Sequence, residues 1–212
     1  MKIGCIIQAR AGSTRLPNKI LMDLCGKEML TRVVERVLNS KRIELIIVAT
    51  TLQKADEKIE KLVLGYINPK VNVFRGSEND VLDRYYQAAK KYNLDVIVRI
   101  TGDCPLIDWD VIDKIIEEFL SGDYDYASNV LPKRTFPRGL DTEVFSFTLL
   151  KKLWENRHTS SEREHVTTYI RENPSIFKTK NIENNVDLSC FRWTVDEMDD
   201  FTFVKQIYRE LY

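Results

Sequence analysis

Short apolar runs alternate with longer stretches in which apolar residues return every three or four positions. Lys2 to Gln8 is a short, mostly apolar run with two adjacent isoleucines, and it reads as a buried strand. From Lys27 to Asn39, Met29, Leu30, Val33, Val34, Val37 and Leu38 recur at helical spacing and define one apolar face. The rhythm repeats through strand Leu45 to Thr50, helix Ala55 to Tyr66, strand Val71 to Phe74, helix Asp80 to Tyr92 and strand Val96 to Ile100. Alternation of this kind predicts an α/β fold, a mostly parallel, Rossmann-like sheet with helices on both faces. After a helix at Val111 to Leu120 the rhythm changes. Strand-like pieces at Tyr124–Val130 and Thr142–Phe147 surround a loop with Pro132 and Pro137, which predicts a small added β lobe or sheet edge over residues 124–147. Helices at Ser161–Glu172 and Asp199–Leu211 are expected to flank a strand at Phe191–Val195.

The chain has 212 residues, a size that suits one domain. Lys plus Arg equals Asp plus Glu at 32 each, so no overall field favours nucleic acid or an anionic membrane as partner, and any anion site must be local. No apolar run has the length of a membrane span, and Met1 to Ala9 is too short for the apolar region of a signal peptide. Cys5, Cys25, Cys104 and Cys190 are scattered without a C-x-x-C pair, which predicts neither a disulfide framework nor a zinc site and fits a reduced, cytoplasmic setting.

In parallel sheets of this kind ligands bind where loops leave the carboxyl ends of the strands. The first such loop, Ala9 to Lys19, carries three cations, two hydroxyls and a glycine. Gly12 would let backbone N–H groups approach phosphate oxygens, Ser13 and Thr14 add donors, and Arg10, Arg15 and Lys19 neutralise charge, so the loop has the parts a triphosphate needs. It lacks the Gly-Lys-Ser/Thr of a P-loop. The alternative is a solvated turn whose basic residues face water.

The order Gln8-Ala9-Arg10-Ala11-Gly12-Ser13-Thr14-Arg15-Leu16-Pro17-Asn18-Lys19 resembles the amino-terminal motif of cytidylyltransferases that activate acidic sugars, the CMP-KDO synthetases and acylneuraminate cytidylyltransferases. It looks closest to their relatives named for a spore coat polysaccharide biosynthesis protein. Arg99 to Asp108, Arg138 to Phe145, Glu164 to Thr167 and Arg192 to Asp196 resemble further blocks of that group, in order along the chain. The resemblance implies a nucleotide-diphospho-sugar transferase-like fold, a nucleoside triphosphate substrate, expected to be CTP, a sugar acceptor, and release of pyrophosphate in surface polysaccharide biosynthesis. It also implies a magnesium cofactor and a homodimer.

Magnesium takes hard oxygen ligands and is commonly held by one or two carboxylates together with substrate phosphates. Asp103 follows a glycine after a strand, Asp196 follows the expected strand Phe191–Val195, and the resemblance implies that these two positions ligate the metal. The other reading makes Asp103 a turn cap, and one of Glu197, Asp199 and Asp200 the cap of the last helix. With Arg10 and Lys19, these two aspartates are the catalytic candidates.

Asp141 and Glu143 share one strand face, suited either to sugar hydroxyls or to an ion cluster with Arg138. Arg75 and Gly76, past another expected strand, are placed to approach base or ribose, unless the arginine is merely exposed. Thr101 stands where CMP-KDO synthetases carry a Gln associated with cytosine. His165 is either a contact for the sugar acid or a satisfied helix histidine. Tyr85, Tyr86 and Tyr92 read as a core stripe. A glycosyltransferase consuming a nucleotide sugar would show an Asp-x-Asp at a strand end. Asp123-Tyr124-Asp125 has that spelling but precedes its strand. A non-catalytic nucleotide-binding module would not need the paired aspartates.

Overall fold

A computed structural model describes residues 1–212. The four amino-terminal apolar runs are strands β1 (Ile3–Gln8), β2 (Leu45–Thr51), β3 (Val71–Gly76) and β4 (Val96–Thr101), all mutually parallel. Helices α1 (Met29–Leu38), α2 (Glu57–Leu64) and α3 (Val81–Lys91) lie between them, and α4 (Trp109–Ser121) follows. Then come β5 (Tyr126–Ser128), β6 (Glu143–Ser146), α5 (Phe147–Asn156), α6 (Ser160–His165), α7 (Thr168–Glu172), β7 (Thr179–Asn181) and α8 (Met198–Leu211). One seven-stranded sheet has the order β3-β2-β1-β4-β6-β5-β7, and β6 alone runs antiparallel to its neighbours.

Two apolar layers follow from the pleat, because successive residues of a strand face opposite sides. Cys5 and Ile7 of β1 join Val96, Val98 and Ile100 under α1, α4 and α8, whereas Ile6 joins Ile47, Ile97 and the buried face of α3 and α5. Both faces are covered, as the near-continuous apolar strands require. Tyr85 and Tyr86 lie in the second layer, in keeping with the core stripe expected of them.

The chain departs from the expected pattern in its second half. The strands expected over residues 124–147 extend the main sheet, with β6 pairing along β4, so they form the sheet edge and not a separate lobe. The strand expected at Phe191–Val195 does not form. That segment crosses the strand ends, touching Arg138 by an isolated bridge at Arg192, with Trp193 N–H donating to Arg138 O at 2.6 Å and Val195 N–H to Asp103 O at 2.9 Å. The helix expected over Ser161–Glu172 breaks into α6 and α7 at Val166, which has φ 53°. A β-branched residue in that region costs on the order of 1–3 kcal/mol. The break carries Val166 into the second core layer.

The strand order decides where a ligand sits. β1 lies between β2 and β4, so strand order reverses beside it, and the crevice outside the carboxyl ends of β1 and β4 is where a ligand is expected.

Candidate active site

A cleft of about 780 Å³ opens at this crevice, with the loop after β1, the turn after β4, the start of α3, and α6 as its walls. Its lining includes Ala9, Arg10, Ser13, Thr14, Arg15, Lys19, Thr101, Asp103, His165 and Asp196, all candidates on sequence grounds. Arg10 and Arg15 are exposed, as in a solvated turn, but the rest of the loop is anchored. Ala9, Ala11, Leu16 and Ile20 are buried in the first core layer, and Lys19 is only 8 % exposed. Apolar anchors at both ends of the loop therefore hold its polar middle toward the cleft.

Lys19 is the centre of the arrangement. Its Nζ donates to Asp103 Oδ2 at 2.8 Å, to Asp196 Oδ1 at 3.1 Å and to Val195 O at 2.7 Å. Asp196 also receives Arg15 at 2.7 Å and Arg192 at 2.6 Å. Burial alone would raise the Asp196 pKa, but the hydrogen bond and charge of Lys19, with Arg192 and Arg15, hold it below the usual carboxylate range. Two carboxylates from segments 93 residues apart thus meet at one cation. Glu197 is the N-cap of α8, in a capping box with Asp200, which accepts from the N–H groups of Asp196 and Glu197 at 2.8 and 3.0 Å.

Backbone contacts bring the two acids together. Gly102 lets the turn after β4 lie against the loop: a Cβ there would meet Gln8 O at 3.1 Å and the Ala9 Cβ at 3.2 Å. Val195 N–H and the Thr194 hydroxyl both donate to Asp103 O. Gly139 has φ 106°, and a Cβ on it would lie 2.7 Å from Thr194 N. Arg138 and Gly139 therefore brace the Asp196 segment from behind. The Arg138 side chain is exposed and not part of the cleft lining.

Several other candidates sit elsewhere. Arg75 points to Glu60 at 2.9 Å and to the carbonyls of Thr51 and Gln53, and does not line the cleft; its expected approach to base or ribose is replaced by a link between β3 and α2. Gly76 is outside the lining too, where its missing side chain makes room for the Arg84 stem. Asp141 pairs with Arg134, and Glu143 pairs with Arg99 beneath the cleft floor, accepting also from Tyr126 Oη at 2.9 Å. The expected cluster with Arg138 does not form, because Asp141 and Glu143 each turn to a nearer arginine. Gly12 stands at an open position, with nothing within 4 Å of where a Cβ would be. Asp123 bonds Lys178 at the exposed surface and Asp125 accepts from Lys178 N–H at 2.9 Å, so the Asp-x-Asp spelling lies outside the cleft.

One residue that holds the loop was missed. Asp56, buried in the turn after β2, accepts from Ala11 N–H at 2.7 Å and from the Thr51 hydroxyl. Its only local signal is an acid one turn beyond a strand end, and its partner is 45 residues away.

A basic loop after the first strand, facing paired acids at a reversal of strand order, defines a nucleotidyltransferase-like fold and cleft. Residues 4–210 match the cytidylyltransferase family model, and the chain belongs to that family. It is 33% identical over 214 residues to the spore coat polysaccharide biosynthesis protein SpsF of Bacillus subtilis, covering 97% of this chain and 85% of that protein. Among solved structures, a cytidylyltransferase from Leptospira borgpetersenii superposes with a TM-score of 0.95 at 41% identity, over 100% of this chain and 88% of the other. A CMP:2-keto-3-deoxy-manno-octonic acid synthetase complexed with CTP shares the fold, with a TM-score of 0.78 at 18% identity over the whole of both chains.

Two predictions follow from the braces under the cleft. Gly139→Ala should lower stability by about 1–3 kcal/mol in urea unfolding and reduce turnover through displacement of Asp196; wild-type values of both would contradict the brace. Burial disfavours charge on Glu143, yet Arg99 and its hydrogen-bond donors hold its pKa below the ordinary value. A depressed folded-state pKa contributes stability that is complete above the unfolded value of about 4.3 and is lost as pH falls through the folded value. Glu143→Gln should therefore cost about 3–5 kcal/mol near neutral pH, with the gap from wild type narrowing in acid. A gap independent of pH, measured by urea unfolding between pH 7 and pH 3, would contradict this.

Proposed function

We propose that this cytidylyltransferase transfers CMP from CTP to a hydroxyl of a sugar, acidic or otherwise modified, with release of pyrophosphate, as a step in making a surface polysaccharide. The observation that carries the reading is the meeting of Asp103, Asp196 and Lys19 in a cleft lined by the basic loop. The SpsF relative and the CTP-bound synthetase support the sugar and the nucleotide.

The donor set fits magnesium. Two carboxylates already stabilise one cation, the Lys19 ammonium, at the cleft wall, and oxygen from two acids with the remainder from water and phosphate is what that ion favours. Asp103 and Asp196 would hold it, and when bound it would lower the pKa of the acceptor hydroxyl and polarise the α-phosphate. Arg10 and Arg15 would neutralise the polyphosphate, with the hydroxyl donors of Ser13 and Thr14 orienting it. Lys19 would balance the charge that accumulates as the bond from the α-phosphorus to pyrophosphate breaks and the bond to the sugar oxygen forms. Reactions at phosphorus need little covalent help from protein, so fixed position and fixed charge supply most of the rate. Thr101 and His165 would face the bound substrates.

Pyrophosphate release tests the reading, with the four nucleoside triphosphates offered beside a panel of acidic sugars. CTP should be preferred and a divalent ion required, and Asp103→Ala with its fold intact should lose on the order of 10²–10³ in rate. Undiminished turnover by Asp103→Ala, or inert CTP beside hydrolysis of a nucleotide sugar, would overturn it.

A further inference from the structure

The cleft holds six lysine and arginine side chains, and four of them are already neutralised. Arg15 pairs with Asp196, Lys19 with both aspartates, Arg99 with Glu143 and Arg163 with Asp80. Arg10 and Arg84 have no carboxylate at ion-pair distance. Arg10 is exposed, where water screens its charge. Arg84 is different, being only 2 % exposed.

The surroundings of Arg84 are shaped around it. Its stem packs on Gly76, where a Cβ would come within 3.1 Å of the Arg84 Cγ. NH1 donates to Ser77 O at 2.7 Å, the one hydrogen bond the guanidinium makes, while Nε is buried without an acceptor. Burial, together with the positive charge of Arg10, pulls its pKa below the ordinary value. A buried cation is ordinarily paired, since leaving one unpaired is costly. The missing partner must come from outside the chain, and the cleft that Arg84 lines is where it can enter.

We propose that Arg84 and Arg10 form an oxyanion subsite that holds the pyrophosphate end of the nucleotide, so that α3 closes the anion cradle begun by the loop after β1. The inference rests on the nucleotidyl-transfer reading above. Charge matching favours pyrophosphate over the acid group of a sugar: two unneutralised cations suit a multiply charged polyphosphate, whereas one carboxylate would leave a cation uncompensated. A guanidinium also offers a planar fork of donors matched to phosphate oxygens.

Arg84→Met, which keeps the length and removes the charge, tests this by calorimetric titration with inorganic pyrophosphate, CTP and CMP, alongside thermal unfolding without ligand. Pyrophosphate and CTP should each bind at least about tenfold more weakly, the loss expected for hydrogen bonds to a charged group, with CMP changed by less than about twofold. The free protein should unfold at the wild-type temperature or above, because an unpaired buried charge has been replaced by an apolar chain. Unchanged pyrophosphate affinity would overturn the proposal, whether with a fall in unfolding temperature, which marks a structural arginine, or with a raised KM for the sugar, which marks a sugar-acid site. Should Arg84→Met fail to fold, Arg84→Lys decides: it keeps the charge without the fork and should weaken pyrophosphate several-fold, and wild-type affinity would sink the idea. Wild-type protein that binds neither CTP nor pyrophosphate contradicts the nucleotidyl-transfer reading itself. Binding by wild type and Arg84→Met alike contradicts only the role of Arg84.

Discussion

The ammonium of Lys19, shared between Asp103 and Asp196, ties together three segments that the chain separates widely. Without a cation between them, two carboxylates converging on one cleft wall would repel, and the segment after Trp193 has no strand pairing to hold it against that force. The sheet supplies the frame, because strand order reverses beside β1 and the loops after β1 and β4 meet at neighbouring carboxyl ends. Lys19 supplies the closure. It reaches the acids because Leu16 and Ile20, on either side of the loop's end, are buried in the core under α1.

Small backbone contacts convert this ion cluster into a fixed geometry. Gly102 allows the turn bearing Asp103 to lie on the loop, Gly139 allows the Asp196 segment to lie on its brace, and Asp56 pins Ala11 to the end of β2. Each joins segments at a place where an added methyl group or a lost acceptor would force them apart. The charge pattern of the cleft has a similar economy. Most cations there are internally paired, which leaves Arg10 and Arg84 as the ones without a carboxylate partner.

Much of the first half of the fold was legible because its forces are local. Strands β1, β2 and β4 are mostly apolar runs, and α1 shows its buried face in Met29, Leu30, Val33, Val34 and Val37. The loop and both aspartates were legible for a related reason: they follow strand ends, and their motifs resemble a family in which such positions bind substrate and metal. What was not legible depends on distant partners. Phe191–Val195 has the composition of a strand, yet its hydrogen bonds go to Arg138 and Asp103, which no local pattern encodes. Asp141 and Glu143 suited sugar hydroxyls or an ion cluster with Arg138, but their neighbours across the sheet and along the loop pair them with other arginines and leave Arg138 as a brace. Asp56 and Arg84 gave no motif at all, since their importance lies in what they face.

The sharing of one ammonium by two acids can be measured as a coupling energy. A double-mutant cycle combining Lys19→Met and Asp103→Asn, read by urea unfolding at neutral pH and moderate salt, should show an interaction of about 1–3 kcal/mol between the two sites. Changes that simply add, within about 0.3–0.5 kcal/mol, would mean that the loop and the acids do not act on one another in the folded protein.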